Sequence, residues 1–200
     1  MGDGRTKRVG EFKKLLKKIG ASKRSLFNSP FDSVREYLNN LKGINGFIYN
    51  NYTEKGTTGQ RFIRKYFTVE NGKKIDAIRT KIEEWKKKKL INENEYFVLL
   101  ASLIESVPFY ANISGVYAAF LKKYDPRALK SLEIKPFSFY SGTKSHSVYN
   151  KNSMELINKL NVDVLYLDPP YNQRQYAPNY HLLETIALYD NPKIKGVTGM

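Results

Sequence analysis

Apolar side chains recur at helical spacing through the first two thirds of the chain. Between residues 11 and 19, one helical face carries lysines and the other is apolar, with Phe12, Leu15, Leu16 and Ile19. The lysine face suits a solvated amphipathic helix or a contact with DNA. After Thr68, a candidate N-cap, a second helix is predicted by Ile75, Ile78, Ile82 and Trp85. We expect Trp85 to lie in the core rather than to stack on a base.

Two further apolar segments predict helices before the middle of the chain gives way to proline. Residues 96–107 form one apolar stretch, which closes near Pro108. Residues 114–124 form another, which stops before Pro126 because the residue before a proline disfavours helical backbone. Together these patterns predict a mainly helical lobe over residues 31–135.

The pattern changes in the last third of the chain. Residues 161–170 read Asn-Val-Asp-Val-Leu-Tyr-Leu-Asp-Pro-Pro, an apolar run ended by prolines that cannot extend a β-ladder. Such a run is typical of a strand covered on both faces in a parallel sheet. Upstream, residues 147–149 predict a short strand, and Asn152 or Ser153 is a candidate cap of a helix that leads into the longer one. This βαβ pattern predicts an α/β domain over residues 136–200.

The residues that end the predicted strand carry the most specific chemistry in the sequence. Ligands of parallel sheets bind beyond the carboxyl ends of the strands, where Asp168, Pro169, Pro170 and Tyr171 would lie. The Asp168 carboxylate can accept one hydrogen of an exocyclic amine, and the Pro169 carbonyl can accept the other. Two acceptors on one amine would make its nitrogen more nucleophilic. Tyr171 can stack on the face of the base, a contact worth about 1–3 kcal/mol in nucleic-acid sites.

This tetrad and its flanks resemble the adenine-specific DNA methyltransferases in the branch related to Dam methylase. The tetrad fits motif IV of that family. The stretches that also resemble it are residues 172–185, residues 46–52 and the helical segments 73–85 and 93–123. The resemblance spans about residues 38 to 199, and the flanks make chance agreement unlikely for a motif that is only moderately specific alone.

The resemblance implies a fold, a cofactor and a substrate. It implies part of a Rossmann-like methyltransferase sheet with an inserted helical lobe that contributes to target recognition. It also implies methyl transfer from S-adenosylmethionine to adenine N6 in double-stranded DNA, within a restriction-modification system. The implied catalytic residues are Asp168, Pro169, Pro170 and Tyr171. Asn152 and Asp168 are the implied cofactor contacts, although family members tend to have an Asp near Asn152.

Two other functions stay open at this stage. Members of the wider class that act on RNA or protein carry Asn in the first tetrad position and those that act on cytosine carry Ser, so Asp168 favours adenine. The Phe-x-Gly-x-Gly loop that binds the methionine end of the cofactor in this family is absent from the sequence. We therefore expect an incomplete methyltransferase. The alternative is a basic DNA-binding fragment without catalytic activity.

Charge favours a nucleic-acid partner. The chain has 34 Lys and Arg against 19 Asp and Glu, a net charge of +15, of which +12 falls in residues 1–100. Residues 1–30 are interpreted as a basic segment and linker. The loop or hairpin at 56–67 interleaves basic and aromatic residues and suits a DNA contact or a solvated surface hairpin equally. The candidate DNA-binding residues are Arg61, Arg64, Lys65 and Arg174.

Other residue types narrow the class of protein further. The absence of cysteine excludes disulfides and thiolate metal sites, and only His146 and His181 are present, so we expect no metal site. Both histidines are interpreted as structural or loop residues. No apolar run approaches the length of a membrane span, and residues 1–20 lack the apolar core of a secretory signal. We expect a soluble cytoplasmic protein without a membrane partner.

Overall fold

The computed structural model describes residues 11–20, 29–136, 146–169 and 176–200. Within these ranges the helices are α1 (Lys13–Lys18), α2 (Pro30–Asn39), α3 (Phe47–Tyr52), α4 (Val69–Lys87), α5 (Glu93–Ser106), α6 (Ser153–Ile157) and α7 (Tyr176–Leu188). A 3₁₀ turn, Val107–Tyr110, continues α5. The described residues fall into two compact units. The larger contains residues 11–20, 29–136 and 176–200, and the smaller contains residues 146–169.

Both long helices of the larger unit begin at a side-chain cap. The Thr68 hydroxyl accepts a hydrogen bond from the backbone N–H of Asn71 at 3.2 Å, so the predicted N-cap of α4 is confirmed. Trp85 is buried, as predicted. At the start of α5, Asn92 and Glu95 form a capping box. Glu95 also accepts the backbone N–H of Phe12 at 2.6 Å, which ties the segment before α1 to the start of α5.

The short helix α3 is capped by a side chain from α4. Both carboxylate oxygens of Asp76 accept backbone N–H groups at the start of α3, from Gly46 at 3.1 Å, Ile48 at 2.9 Å and Tyr49 at 2.8 Å. These N–H groups have no partner inside the helix, so the carboxylate satisfies donors that would otherwise be buried unpaired. Asp76 thereby fixes α3 against α4.

The helix predicted over residues 114–124 is wrong, because this segment is irregular in the structure. Asn112, fully buried, holds it in that form: its amide donates to the carbonyls of Lys65 and Leu121, both at 2.9 Å, and its carbonyl oxygen accepts from Asp125 N–H at 2.9 Å. Gly115 also adopts a positive φ of 103°, which a helix does not allow. Tertiary hydrogen bonds therefore outweigh the apolar periodicity.

A second buried asparagine binds the irregular chain that follows this segment, over residues 128–132. The Asn71 amide donates to the carbonyls of Ala128 at 3.1 Å and Lys130 at 2.9 Å, and its oxygen accepts from Leu132 N–H at 2.8 Å. Because each asparagine offers two donors and an acceptor, one side chain can satisfy several backbone groups of a chain without a ladder. Residues 128–132 are thereby held against α4, which carries Asn71.

The sheet predicted for the smaller unit is not confirmed in the described residues. Residues 162–167 form no strand, and their apolar side chains are exposed: Val164 by 84%, Tyr166 by 84% and Leu167 by 64%. A strand requires a neighbouring strand for its backbone hydrogen bonds, and the described ranges provide none to this segment. The β-pairing found among the described residues is an isolated parallel bridge between Thr53 and Phe67.

The division of the chain also differs from the one expected. The sequence grouped residues 136–200 as one partial α/β domain, whereas in the structure residues 176–200 belong to the larger, helical unit. The reason is the burial of Leu182, Thr185 and Ile186 of α7. None of the helices in the described ranges is long and apolar enough to cross a membrane.

Candidate functional site

The predicted catalytic tetrad is described only in part. Asp168 and Pro169 lie in irregular, exposed chain at the end of the 162–167 run. Pro170 and Tyr171 lie outside the described residues, as does Arg174. The first two tetrad positions therefore lie on the surface of the described residues. The joint geometry of all four stays a prediction.

The two residues predicted to contact the cofactor do not form an enclosed site. Asn152 is exposed, and its side-chain oxygen accepts the Met154 N–H at 3.0 Å, so it caps α6 as predicted. Asp168 is also exposed. A cofactor pocket buries most of its ligand. Within the described residues, the surroundings of Asn152 and Asp168 therefore do not enclose a cofactor.

The three candidate DNA-binding residues of the 56–67 segment have different environments. Arg61 is exposed, with its guanidinium 5.2 Å from the centroid of the Phe62 ring. Lys65 is half-buried and lies 2.7 Å from a carboxylate oxygen of Glu54. Arg64 is only 4% exposed. Arg61 has the open position that a phosphate contact requires, whereas Arg64 does not.

Arg64 is instead a structural residue, which corrects its assignment as a DNA contact. Its guanidinium donates to the carbonyls of Gly196 at 2.8 Å and Val197 at 3.1 Å, and to that of Asn51 at 3.4 Å. Burial lowers the pKa of Arg64 below its usual value. The guanidinium is thus used to hold the segment after α7 against the 56–67 loop.

The carbonyls of four consecutive residues, 196–199, all face side chains of the larger unit. Besides the two bound by Arg64, the Gly199 carbonyl accepts from the Tyr52 hydroxyl at 2.7 Å, and the Thr198 carbonyl lies 3.3 Å from Nε2 of His181. His181 also packs between two rings, at 6.3 Å from Tyr52 and 6.1 Å from Tyr66. Sequence reasoning missed this anchor, although the glycines at both ends of the turn are its one local signal.

Helix α7, which follows the tetrad in the sequence, is held by a buried arginine of α4. Arg79, 1% exposed, donates to the carbonyls of Ile186 at 2.8 Å and Ala187 at 2.9 Å. These carbonyls lie in the last turn of α7, where they have no helical partner and where the helix dipole favours a cation. Glu83 lies 2.6 Å from the Arg79 guanidinium and balances its charge. The sequence suggested no role for this residue.

Among the described residues, no group of three or more His, Asp or Glu side chains could hold a metal ion. The residues that the structure does bring together around α7 are aromatic and cationic: Tyr52, Arg64, Tyr66, Arg79 and His181. Their polar atoms are directed at backbone carbonyls. These contacts hold α7 and the segment after it against the rest of the larger unit.

Comparison with known proteins gives the family. The family model for D12 class N6 adenine-specific DNA methyltransferases matches residues 11–200. The chain belongs to this family. The predicted resemblance to adenine-specific DNA methyltransferases is thereby confirmed. No solved structure matches the chain significantly.

Characterised relatives of the family are modification enzymes. The chain is 42% identical over 173 residues to modification methylase StsI of Streptococcus sanguinis, which covers 86% of the chain and 26% of that protein. It is 46% identical over 187 residues to type II methyltransferase M.FokI of Planomicrobium okeanokoites, a match that covers 92% of the chain and 27% of that protein. It is 48% identical over 163 residues to type II methyltransferase M.NlaIII of Neisseria lactamica, a match that covers 82% of the chain and 48% of that protein. The chain thus spans between about a quarter and a half of these relatives.

Proposed function

We propose that this chain is the part of an adenine-specific DNA methyltransferase that receives the target adenine, in a restriction-modification system. The observation that carries the proposal is the match of residues 11–200 to the family of N6 adenine-specific enzymes, together with the Asp-Pro-Pro-Tyr tetrad at 168–171. The net charge of +15 supports a polyanionic substrate. S-adenosylmethionine supplies the methyl group in this family.

The role of the tetrad follows from its hydrogen-bonding groups. The target adenine is flipped out of the duplex, at a cost of a few kcal/mol, so that its amine becomes accessible. The Asp168 carboxylate accepts one amine hydrogen and the Pro169 carbonyl accepts the other. The lone pair of the nitrogen is thereby drawn out of conjugation with the ring, and the nitrogen becomes more nucleophilic. Tyr171 stacks on the base. Asp168 and Pro169 are exposed, in keeping with a substrate that arrives from solution.

The fold and the DNA contacts are part of the same proposal. The exposed apolar run at 162–167 is the strand that joins a Rossmann-like sheet, because that is where its side chains would be buried. The helical unit contributes to target recognition, and Arg61, Lys65 and Arg174 contact DNA phosphates. Asn152 and Asp168 are the candidate cofactor contacts once that sheet is formed.

Methyl transfer from labelled S-adenosylmethionine to duplex DNA tests this function, with the methylated base identified by mass spectrometry. In a complete version of the enzyme, the wild-type sequence should produce N6-methyladenine, and Asp168→Ala should lower the rate at least about a hundredfold because one amine acceptor is lost. Asp163→Ala is the matched control, since Asp163 is an exposed carboxylate in the same segment and should leave the rate unchanged.

Two results would contradict the proposal. Turnover by Asp168→Ala at the wild-type rate would remove Asp168 from the chemistry. Salt-dependent DNA binding without cofactor binding or methyl transfer would instead support a DNA-binding fragment without catalytic activity. Titration calorimetry with S-adenosylmethionine separates these cases, because it reports cofactor binding independently of turnover.

A further inference from the structure

Two tyrosines on the outer side of α7 form an exposed stacked pair. The rings of Tyr176 and Tyr180 are 5.8 Å apart between centroids and only 16° from parallel. The residues are 56% and 44% exposed, although tyrosine rings more often cover apolar surface. Because they are four positions apart, they lie on one helical face. That face is opposite the buried Leu182 and Thr185.

Helix α7, which carries this pair, is held by hydrogen bonds to the rest of the larger unit. The Asn179 carbonyl, between the two tyrosines, accepts the Tyr117 N–H at 2.8 Å. One ring nitrogen of His181 lies 3.0 Å from the Pro178 carbonyl. At the other end of the helix, Arg79 binds the last carbonyls, as described above. The helix that carries the two rings is therefore fixed on its inner side and at its C-terminal end before any ligand arrives.

We propose that Tyr176 and Tyr180 bind an unstacked nucleobase of the DNA substrate by extending their own stack. Aromatic rings bind bases of any sequence because every base has a π-face. The pair begins eight positions after Asp168 in the sequence, and the chain carries a net charge of +15, so a polyanion is favoured over a protein partner. This inference rests on the proposed DNA substrate, and it adds a contact separate from Tyr171.

The test is binding of the 200-residue chain to a short single-stranded oligonucleotide that contains 2-aminopurine, whose fluorescence is quenched when it stacks. The wild-type chain should quench the probe. Tyr176→Ala and Tyr180→Ala should each raise the dissociation constant about tenfold, the loss expected for one base stack, and should reduce the quenching. The slope of log Kd against log salt should not change, since no phosphate contact is removed.

Two sets of variants separate stacking from a structural role. Tyr176→Phe and Tyr180→Phe keep the ring and should bind as tightly as the wild type. Phe109→Ala removes another ring that is 56% exposed and should have no effect on binding. Thermal unfolding of all variants checks that α7 remains folded. Loss of affinity in the phenylalanine variants would overturn the stacking role.

The outcome also distinguishes this inference from the proposed function. If the wild-type chain binds the probe and the alanine variants bind it within about twofold, the stacking site is wrong while a DNA-directed activity still stands. If the alanine variants weaken binding but a complete version of the enzyme transfers no methyl group, the stacking site stands and the proposed activity fails. Absence of any DNA binding by the wild-type chain would overturn both.

Discussion

The Nε atom of Arg79 lies 2.8 Å from the carbonyl oxygen of Ile186, a contact between residues 107 positions apart. It joins the longest helix of the larger unit to the helix that follows the Asp-Pro-Pro-Tyr tetrad in the sequence. Because the arginine is almost completely buried, the bond is made in an environment where an unpaired carbonyl is costly. The structure thus uses a cation to end α7 where the sequence has no capping glycine.

Replacement of this arginine should destabilise the protein strongly. Arg79→Ala leaves the carbonyls of Ile186 and Ala187 without their donor and removes the cation beside Glu83, so we expect the free energy of unfolding to fall by about 3 kcal/mol. The control is Lys81→Ala, which removes a partly exposed ion pair with Glu84 on the same helix and should cost less than about 1 kcal/mol. Urea unfolding measures both. Equal losses in the two variants would contradict the role given to Arg79.

A buried asparagine should matter as much as a core hydrophobe. Asn112→Ala leaves the carbonyls of Lys65 and Leu121 and the Asp125 N–H without partners, so we expect a loss of about 2 to 3 kcal/mol. In Asn158→Ala an exposed amide is removed, and the change should stay within about 0.5 kcal/mol. Hydrogen exchange should show faster exchange at Leu121 and Asp125. Protection equal to that of the wild type would argue against the asparagine as the anchor.

Alkaline pH should destabilise the contact between α4 and Tyr189. The Tyr189 hydroxyl donates to Asp76 at 2.8 Å, and burial, followed by the Asp76 charge, raises the pKa of Tyr189 to about 12. Because the folded state holds this proton more tightly, its contribution to stability is fully present below the unfolded pKa of about 10 and is lost as pH rises toward 12.

The variant Tyr189→Phe isolates this group. Its free energy of unfolding should fall less steeply than that of the wild type between about pH 10 and about pH 12. Tyr149→Phe changes an exposed ring and should follow the wild-type curve. Urea unfolding at a series of pH values gives the slopes, and identical slopes for Tyr189→Phe and the wild type would rule out this assignment.

The neighbouring arginines of the 56–67 loop should give opposite results. Arg61→Ala should weaken DNA binding and lower the salt slope by about 0.9, the value for one phosphate contact, with stability unchanged. Arg64→Ala should instead lower stability by about 2 to 3 kcal/mol, because the carbonyls of Gly196 and Val197 lose their donor. Anisotropy titrations over a range of salt concentrations and urea unfolding separate the two effects. A salt slope unchanged by Arg61→Ala would exclude it from the DNA surface.

The sequence by itself determined features that depend on residues close together in the chain. Thr68 as a cap, Trp85 as a core residue and the existence of α5 follow from hydrogen bonds and side-chain contacts within a few positions, which a single stretch of sequence contains. The Asp-Pro-Pro-Tyr tetrad pointed to the family because its residue types and its flanks are read in order along the chain.

Only the tertiary structure decided how distant groups are satisfied. Arg64 lies in a loop of basic and aromatic residues, a pattern typical of a DNA contact. Its guanidinium nevertheless donates to the carbonyls of Gly196 and Val197, which are 132 and 133 positions away. Residues 114–124 have a helical pattern, but Asn112 and its partners hold them in irregular chain. Arg79 likewise donates to carbonyls of α7 that are 107 and 108 positions away. A buried polar group must find a partner wherever the fold brings one, and the sequence near that group does not say where it is.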